Sequence, residues 1–210
     1  MTVQETKNAF GQFIDEFTTA RVQNVNFWIN EGIEAFVKMR LTPEMEAATK
    51  SGFQVNQRVR DDLANIIKLD FTGTYADGII TRPEDCYELL PHSIRLGDVA
   101  SSDTYVINAR ARTWGWFNAN IKNAFTKPQF LEGRLIYIED KTGFRIYPIR
   151  PYLYVRLSYV EIWAPFSDSQ VIVLHQKTHT EIVRLAAAKY LTSVNNYVAA
   201  KNLLSQNAIE

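Results

Sequence analysis

His175 and His179 stand four residues apart, the spacing at which two imidazoles on one helical face can share a metal ion, and Glu181 is close enough to be a third ligand. The stretch reads His175-Gln176-Lys177-Thr178-His179, so Gln176 holds the place of the glutamate that acts as general base in zinc-peptidase helices. The first histidine falls at an expected strand end and the second at an expected helix start, so they need not share a face. Cys86 with His92 would supply a nucleophile and a base. No third group orients that pair, and a lone cysteine in apolar surroundings packs as a small hydrophobe. Glu84, Asp85 and Glu88 beside Arg82 offer carboxylates for proton transfer. That chemistry needs two carboxyl groups in unlike environments, and an acidic loop next to an arginine reads as a solvated turn.

Arg110 and Arg112 precede Thr113-Trp114-Gly115-Trp116-Phe117, interleaving cations with aromatics as a stacking platform for a glycan or single-stranded nucleic acid would. The same residue types suit a subunit contact or a core, and interfaces are enriched in Trp, Tyr and Arg. Neither a glycine-rich phosphate loop nor a GxGxxG turn occurs, and no Ser-His-Asp arrangement can be recovered. The expectation is a chain that is not an enzyme, with no catalytic residues, no cofactor and no metal.

The elements that must position these residues fall into three blocks of one 210-residue α+β domain: a helical part (1–70), a β-rich part (71–176), and a C-terminal helix with a tail (177–210). Phe10, Phe13, Ile14 and Phe17 repeat at helical spacing. Val22, Val25, Ile29, Ile33, Phe36 and Val37 trace an apolar stripe from about Ala20 to Arg40, which Thr42-Pro43 should end. A third helix is expected over Gln57–Leu69. Phe71–Asp85 reads as loop with one short strand at most, followed by strands at Tyr87–Leu90, Ser93–Leu96 and Thr104–Arg112. Thr113–Phe125 reads as a turn followed by a short helix. Arg134–Glu139 and Phe144–Pro148 flank Asp140-Lys141-Thr142-Gly143, a hairpin turn, within a central antiparallel sheet. Leu153–Val160 alternates as a half-buried strand, and Val171–Leu174 is a last short one. Thr178 and Glu181 have capping-box spacing for the final helix, with Ile182, Leu185, Ala186, Tyr190 and Val194 as its stripe.

Lys plus Arg equals Asp plus Glu at 23 each, so the chain lacks the basic excess that drives phosphate gripping. Net neutrality also leaves little repulsion between copies. A single cysteine excludes an internal disulfide. The N-terminus has neither the basic nor the apolar region of a secretion leader, and no apolar run reaches membrane-spanning length. A cytoplasm-like place of synthesis, away from membranes, is therefore expected.

The order of several segments resembles the head-to-tail connector (adaptor or ring) proteins of tailed bacteriophages, most nearly the structural ring proteins of crAss-like phages. These segments are VNFWINEGIEAFVKMR, YELLPHSIRL, NAFTKPQF ahead of the hairpin, YVRLSYVEIWAP and HTEIVRLAAAKYLTSV, together 62 of the 210 residues. Thr126-Lys127 and the tryptophan-rich Arg110–Phe117 depart from the family pattern. The resemblance implies a virion protein at the head-tail junction, assembled in the host bacterial cytoplasm as a ring of about twelve copies. It implies the portal protein and further connector or tail rings as neighbours, with the phage genomic DNA passing through the lumen. Such a subunit works through interfaces. Trp28, Trp114, Trp116, Phe117, Trp163 and Tyr197 are the expected contact residues, and the aromatic-platform binding module at Trp114–Phe117 is the alternative.

Overall fold

The structure is a computed structural model that describes residues 1–14, 22, 24–51, 61–90, 93–97, 107–123 and 125–205. Its elements are α1 (Val3–Phe13), α2 (Val25–Ser51), β1 (Ile67–Thr72), β2 (Tyr75–Ala76), β3 (Ile79–Thr81), β4 (Cys86–Leu89), β5 (Arg95–Gly97), β6 (Ile107–Asn108), β7 (Arg110–Ala111), α3 (Trp114–Asn120), β8 (Ile136–Asp140), β9 (Gly143–Tyr147), β10 (Tyr154–Glu161), α4 (His179–Ser193) and α5 (Tyr197–Ser205). The fold is α+β, with a C-terminal pair of helices. Two compact units divide it: Met1–Glu44 with Asn56–Ile66 and Trp163–Glu210, and Met45–Val55 with Ile67–Ile162. Phe17, residues 57–60, His92 and residues 104–106 lie outside the described residues.

In the first unit, α1 starts with a complete capping box. The Thr2 hydroxyl accepts the Glu5 amide at 3.2 Å, and the Glu5 carboxylate accepts the Thr2 amide at 2.8 Å. Val25, Ile29, Ile33, Phe36 and Val37 of the expected stripe are buried on α2, which starts at Val25 rather than near Ala20; Val22 is buried ahead of it. The helix does not stop at Thr42-Pro43 but runs to Ser51. Proline removes one backbone donor, and the strong helix formers Glu44 to Ala48 that follow carry the helix past that loss. Gly32 of α2 lies against α4, where a Cβ would come within 2.6 Å of the Ile182 carbonyl oxygen. Phe10 and Trp28 meet the Tyr190 ring edge-on, at 6.0 and 5.7 Å between centroids. Arg40 joins Asp62 at 2.9 Å and Glu181 at 2.7 Å.

The start of α4 corrects the capping expectation. A 3-10 turn over Gln176–Thr178, with the His175 ring accepting the Lys177 amide, leads into the helix. Thr178 therefore has helical rather than extended dihedrals, makes no cap bond, and donates its hydroxyl to the His175 carbonyl at 2.8 Å. Glu181 is then free to bind Arg40. On α4 the stripe includes Ile182, Leu185 and Ala186, while Val194 is exposed. Asn195 takes φ 63° and ends the helix, so α5 is separate rather than a continuation. Val171–Leu174 is not a strand: Ile172 and Leu174 are buried, and the Asn65 amide takes the Val173 carbonyl at 2.7 Å, which leaves no strand pairing.

The second unit is built from two five-stranded sheets. In the first, β10 pairs antiparallel with β1, β4 and β5, and β5 with β6; in the second the order is β2-β3-β9-β8-β7, with β7–β8 parallel. Residues Ile67–Leu69, expected in a helix, open β1, because Ile67 and Lys68 pair with Val160 and Tyr159. Strand alternation sends Val155, Leu157 and Tyr159 of β10 into one core with Tyr137, Phe144 and Ile146 of the hairpin. Ile136 and Ile138 face the other way, onto Phe117 of α3. The expected hairpin forms, with Glu139 opposite Phe144 and Asp140 opposite Gly143. Glycine is required at 143 because a Cβ there would overlap the Ile80 carbonyl oxygen on the neighbouring strand.

Candidate functional site

The residues with chemical potential are bound up in the fold. His179 is buried; its Nε2 donates to the Leu174 carbonyl at 2.9 Å, and its Nδ1 accepts from the Met1 amine at 3.2 Å. Burial holds its pKa below the ordinary histidine value. His175 spends Nδ1 on the Lys177 amide, and Glu181 pairs with Arg40. The 3-10 turn between the histidines thus gives each its own partner. Among the described residues no group of three His, Cys, Asp or Glu side chains could hold a metal ion.

Cys86 is buried on β4, and that burial pushes its thiol pKa up, the opposite of nucleophile activation. Its imagined partner His92 lies outside the described residues. The three carboxylates of the acidic group have separate surroundings, with Asp85 in an ion-pair network, Glu84 exposed and Glu88 half-buried. Asp85 pairs with Lys68 and accepts the Tyr159 hydroxyl at 2.9 Å, and Lys68 also reaches Glu161 at 2.9 Å. The Lys68 ammonium holds the Asp85 carboxyl below its usual range. Arg82 binds Glu139 at 2.6 Å and the Cys86 and Tyr87 carbonyls, which fixes the turn that holds the exposed Glu84. Burial raises the Glu88 pKa, with Glu139 adding to the effect. Lys68 and Arg82 thus work as structural cations.

The tryptophan-rich segment forms α3, capped by the Thr113 hydroxyl at the Trp116 amide. Phe117 is buried and lies over Tyr147, with centroids 4.2 Å apart and planes tilted by 32°. Trp116 is half-buried beneath the Arg112 guanidinium, 5.0 Å from its ring. Only Trp114 is markedly exposed, at 44%, and it meets Phe117 and Tyr147 edge-on. Arg110 pairs through its backbone with β8 in the second sheet. An open row of ring faces is not built here. Of the other expected contact residues, Trp28 and Trp163 are half-buried, and Tyr197 is 60% exposed on α5.

An open cleft of about 340 Å³ in the second unit is lined by Thr72, Gly73, Tyr75, Tyr152, Tyr154 and Arg156 among others. Its polar groups turn onto the protein: Tyr75 donates to the Arg150 carbonyl, Tyr152 to the Pro148 carbonyl, and Arg156 to the Thr72 hydroxyl. Sequence reasoning missed a different set of residues, the large apolar side chains held in water. Phe125 and Leu131 are 85% and 86% exposed, with Leu153 and Val198 at 66% and 74%. Their apolar type was visible in the sequence, but their direction was not. No helix among the described residues is long and apolar enough to cross a membrane. A comparison with protein-family models gives no match, and none of the curated proteins compared with the chain matches it.

Proposed function

We propose that the chain acts by assembly, as a structural subunit of a ring in the head-to-tail connector of a tailed-phage virion. The ring surrounds the path of the genomic DNA, with the portal and further connector or tail rings as neighbours. One observation carries the assembly part: both units hold large apolar side chains in water on hydrogen-bonded elements, Val198 and Tyr197 in the first, Phe125 and Leu131 in the second. Such side chains in patches mark interaction surfaces. The phage connector part rests on the order of the segments from VNFWINEGIEAFVKMR to HTEIVRLAAAKYLTSV. Net neutrality fits a channel wall, because a densely basic lumen would grip DNA rather than let it slide.

Binding of a glycan or single strand at Trp114–Phe117 has less support, since Tyr147 covers Phe117 and Arg112 covers Trp116. Native mass spectrometry with negative-stain electron microscopy of the purified chain tests the proposal. Closed rings of a single copy number are expected. A monomer at all concentrations, both alone and with portal protein, would overturn it, and a ring with a densely basic lumen would overturn the argument from neutrality.

A further inference from the structure

We propose that the α3–β8 and β9–β10 connections form one docking surface and that its occupant is a second copy of this chain. The inference rests on the assembly reading above and names the surface that performs it.

The surface is built outward from a buried ring. Phe130 is 4% exposed, lies 5.8 Å from the Tyr152 ring, and carries the Arg150 guanidinium 4.3 Å above it. That stack ties the two connections together. Gln129 and Arg134 exchange backbone hydrogen bonds of 3.0 and 2.9 Å, closing a tight hairpin in which Gly133 takes φ 66° and donates to the Phe130 carbonyl. Leu131 follows the anchored Phe130 and is 86% exposed. Ile149 and Leu153, on either side of Arg150 and Tyr152 in the chain, are 57% and 66% exposed. Phe125, earlier in the first connection, is held by a 2.9 Å bond from its amide to the Asn123 side chain. These side chains are held outward by closed turns, so a partner meets a surface whose ordering cost is already met.

Area points to a macromolecular occupant. At roughly 100 Å² for each aliphatic side chain and 150 Å² for the phenylalanine, the four side chains offer on the order of 400 Å² of apolar surface. A standard interface buries about 800 Å² per partner, somewhat more than half of it apolar. Four side chains thus supply most of the apolar part of one side. Charge points to a second copy. The rim carries both signs, with Glu132 and Arg134 paired on the hairpin and Arg150 over the Phe130 ring. The chain itself is neutral, so nothing drives its copies apart.

The test compares the full chain with the double variant Leu131→Asp/Leu153→Asp by size-exclusion light scattering over a concentration series, with a thermal melt of each. Assembly of the wild type, with a dissociation constant raised at least about 100-fold in the variant and an unchanged melt at a concentration where both are monomeric, supports the inference. If the acidic pair perturbs the melt, Phe125→Ser/Leu131→Ser replaces it, with the same direction and at least about a 10-fold effect expected. A wild type that assembles and a variant that assembles equally well overturn the docking surface but leave the assembly reading intact. A wild type that stays monomeric at all concentrations, both alone and with portal protein, overturns both.

Discussion

Replacing Gly32 with alanine sets two opposing forces on a single methyl group. Gly32 sits inside α2, where helix propensity alone favours alanine by about 1 kcal/mol. The added Cβ, however, would lie 2.6 Å from the Ile182 oxygen, 2.8 Å from the Ala186 Cβ and 2.9 Å from the Ala186 nitrogen. Ile182 and Ala186 are four apart on α4, so two of these atoms are the acceptor and donor of one helical hydrogen bond. Backbone atoms cannot swing aside as a flexible side-chain tip can, so α4 must move as a body. Overpacking costs about 1–3 kcal/mol, and a clash with backbone belongs at the upper end. Subtracting the propensity gain leaves a net loss of about 2 kcal/mol. At roughly 2–4 °C per kcal/mol for a chain of this size, the melting temperature should fall by about 4–8 °C. Calorimetry and urea denaturation of Gly32→Ala measure this directly. Ala186→Gly in the same background should not restore the loss, because the Ile182 oxygen stays in place and glycine inside α4 costs about 1 kcal/mol of its own. A melting temperature that holds or rises on Gly32→Ala would refute the close approach of α2 and α4.

Three further outcomes follow from particular contacts. Arg40→Met leaves the Asp62 and Glu181 carboxylates, 15% and 24% exposed, without their shared cation, and should cost about 2–3 kcal/mol in urea denaturation; Arg40→Lys should not restore it, since one ammonium lacks the spread of the guanidinium. Burial lowers the His179 pKa, so the unfolded chain takes up the proton first: stability is complete above the ordinary histidine range and drains away as pH falls through about 6.5 toward the folded value. The melting temperature should drop between about pH 7.5 and 5.5, and His179→Gln should flatten that slope; equal slopes would remove His179 from the account. Cys86 should stay silent toward Ellman's reagent at about pH 8 in the native chain and react once denatured, whereas rapid native labelling would contradict its burial.

Local patterns in the sequence settled a good deal. The stripe from Val25 to Val37 announced α2 and its buried face, because residues three and four apart share a side of a helix whatever lies opposite. Asp140-Lys141-Thr142-Gly143 announced the hairpin, and alternation announced Val155, Leu157 and Tyr159 as inward residues of β10, while Leu153 ahead of the strand is exposed and Val160 is buried against that alternation. Even the missed capping box at α1 was legible, as Thr2 and Glu5 stand at the required spacing.

What the sequence could not decide depended on distant partners. Ile67–Leu69 became a strand because Val160 and Tyr159, about ninety residues on, offered a ladder that local propensity cannot foresee. Thr178 lost its cap to the 3-10 turn before it, and Glu181 turned to Arg40, 141 positions away. The histidines, Cys86 and the acidic group read as chemistry while only residue types were known, and tertiary packing gave His175, His179 and Asp85 structural partners and buried Cys86. The same packing buried Phe117 and Phe130 and left Phe125 and Leu131 in water, although all four are equally apolar in the sequence. Periodicity is a property of one segment, so it can be read along the chain. Burial is a property of two surfaces meeting, and only the tertiary structure brings the second one.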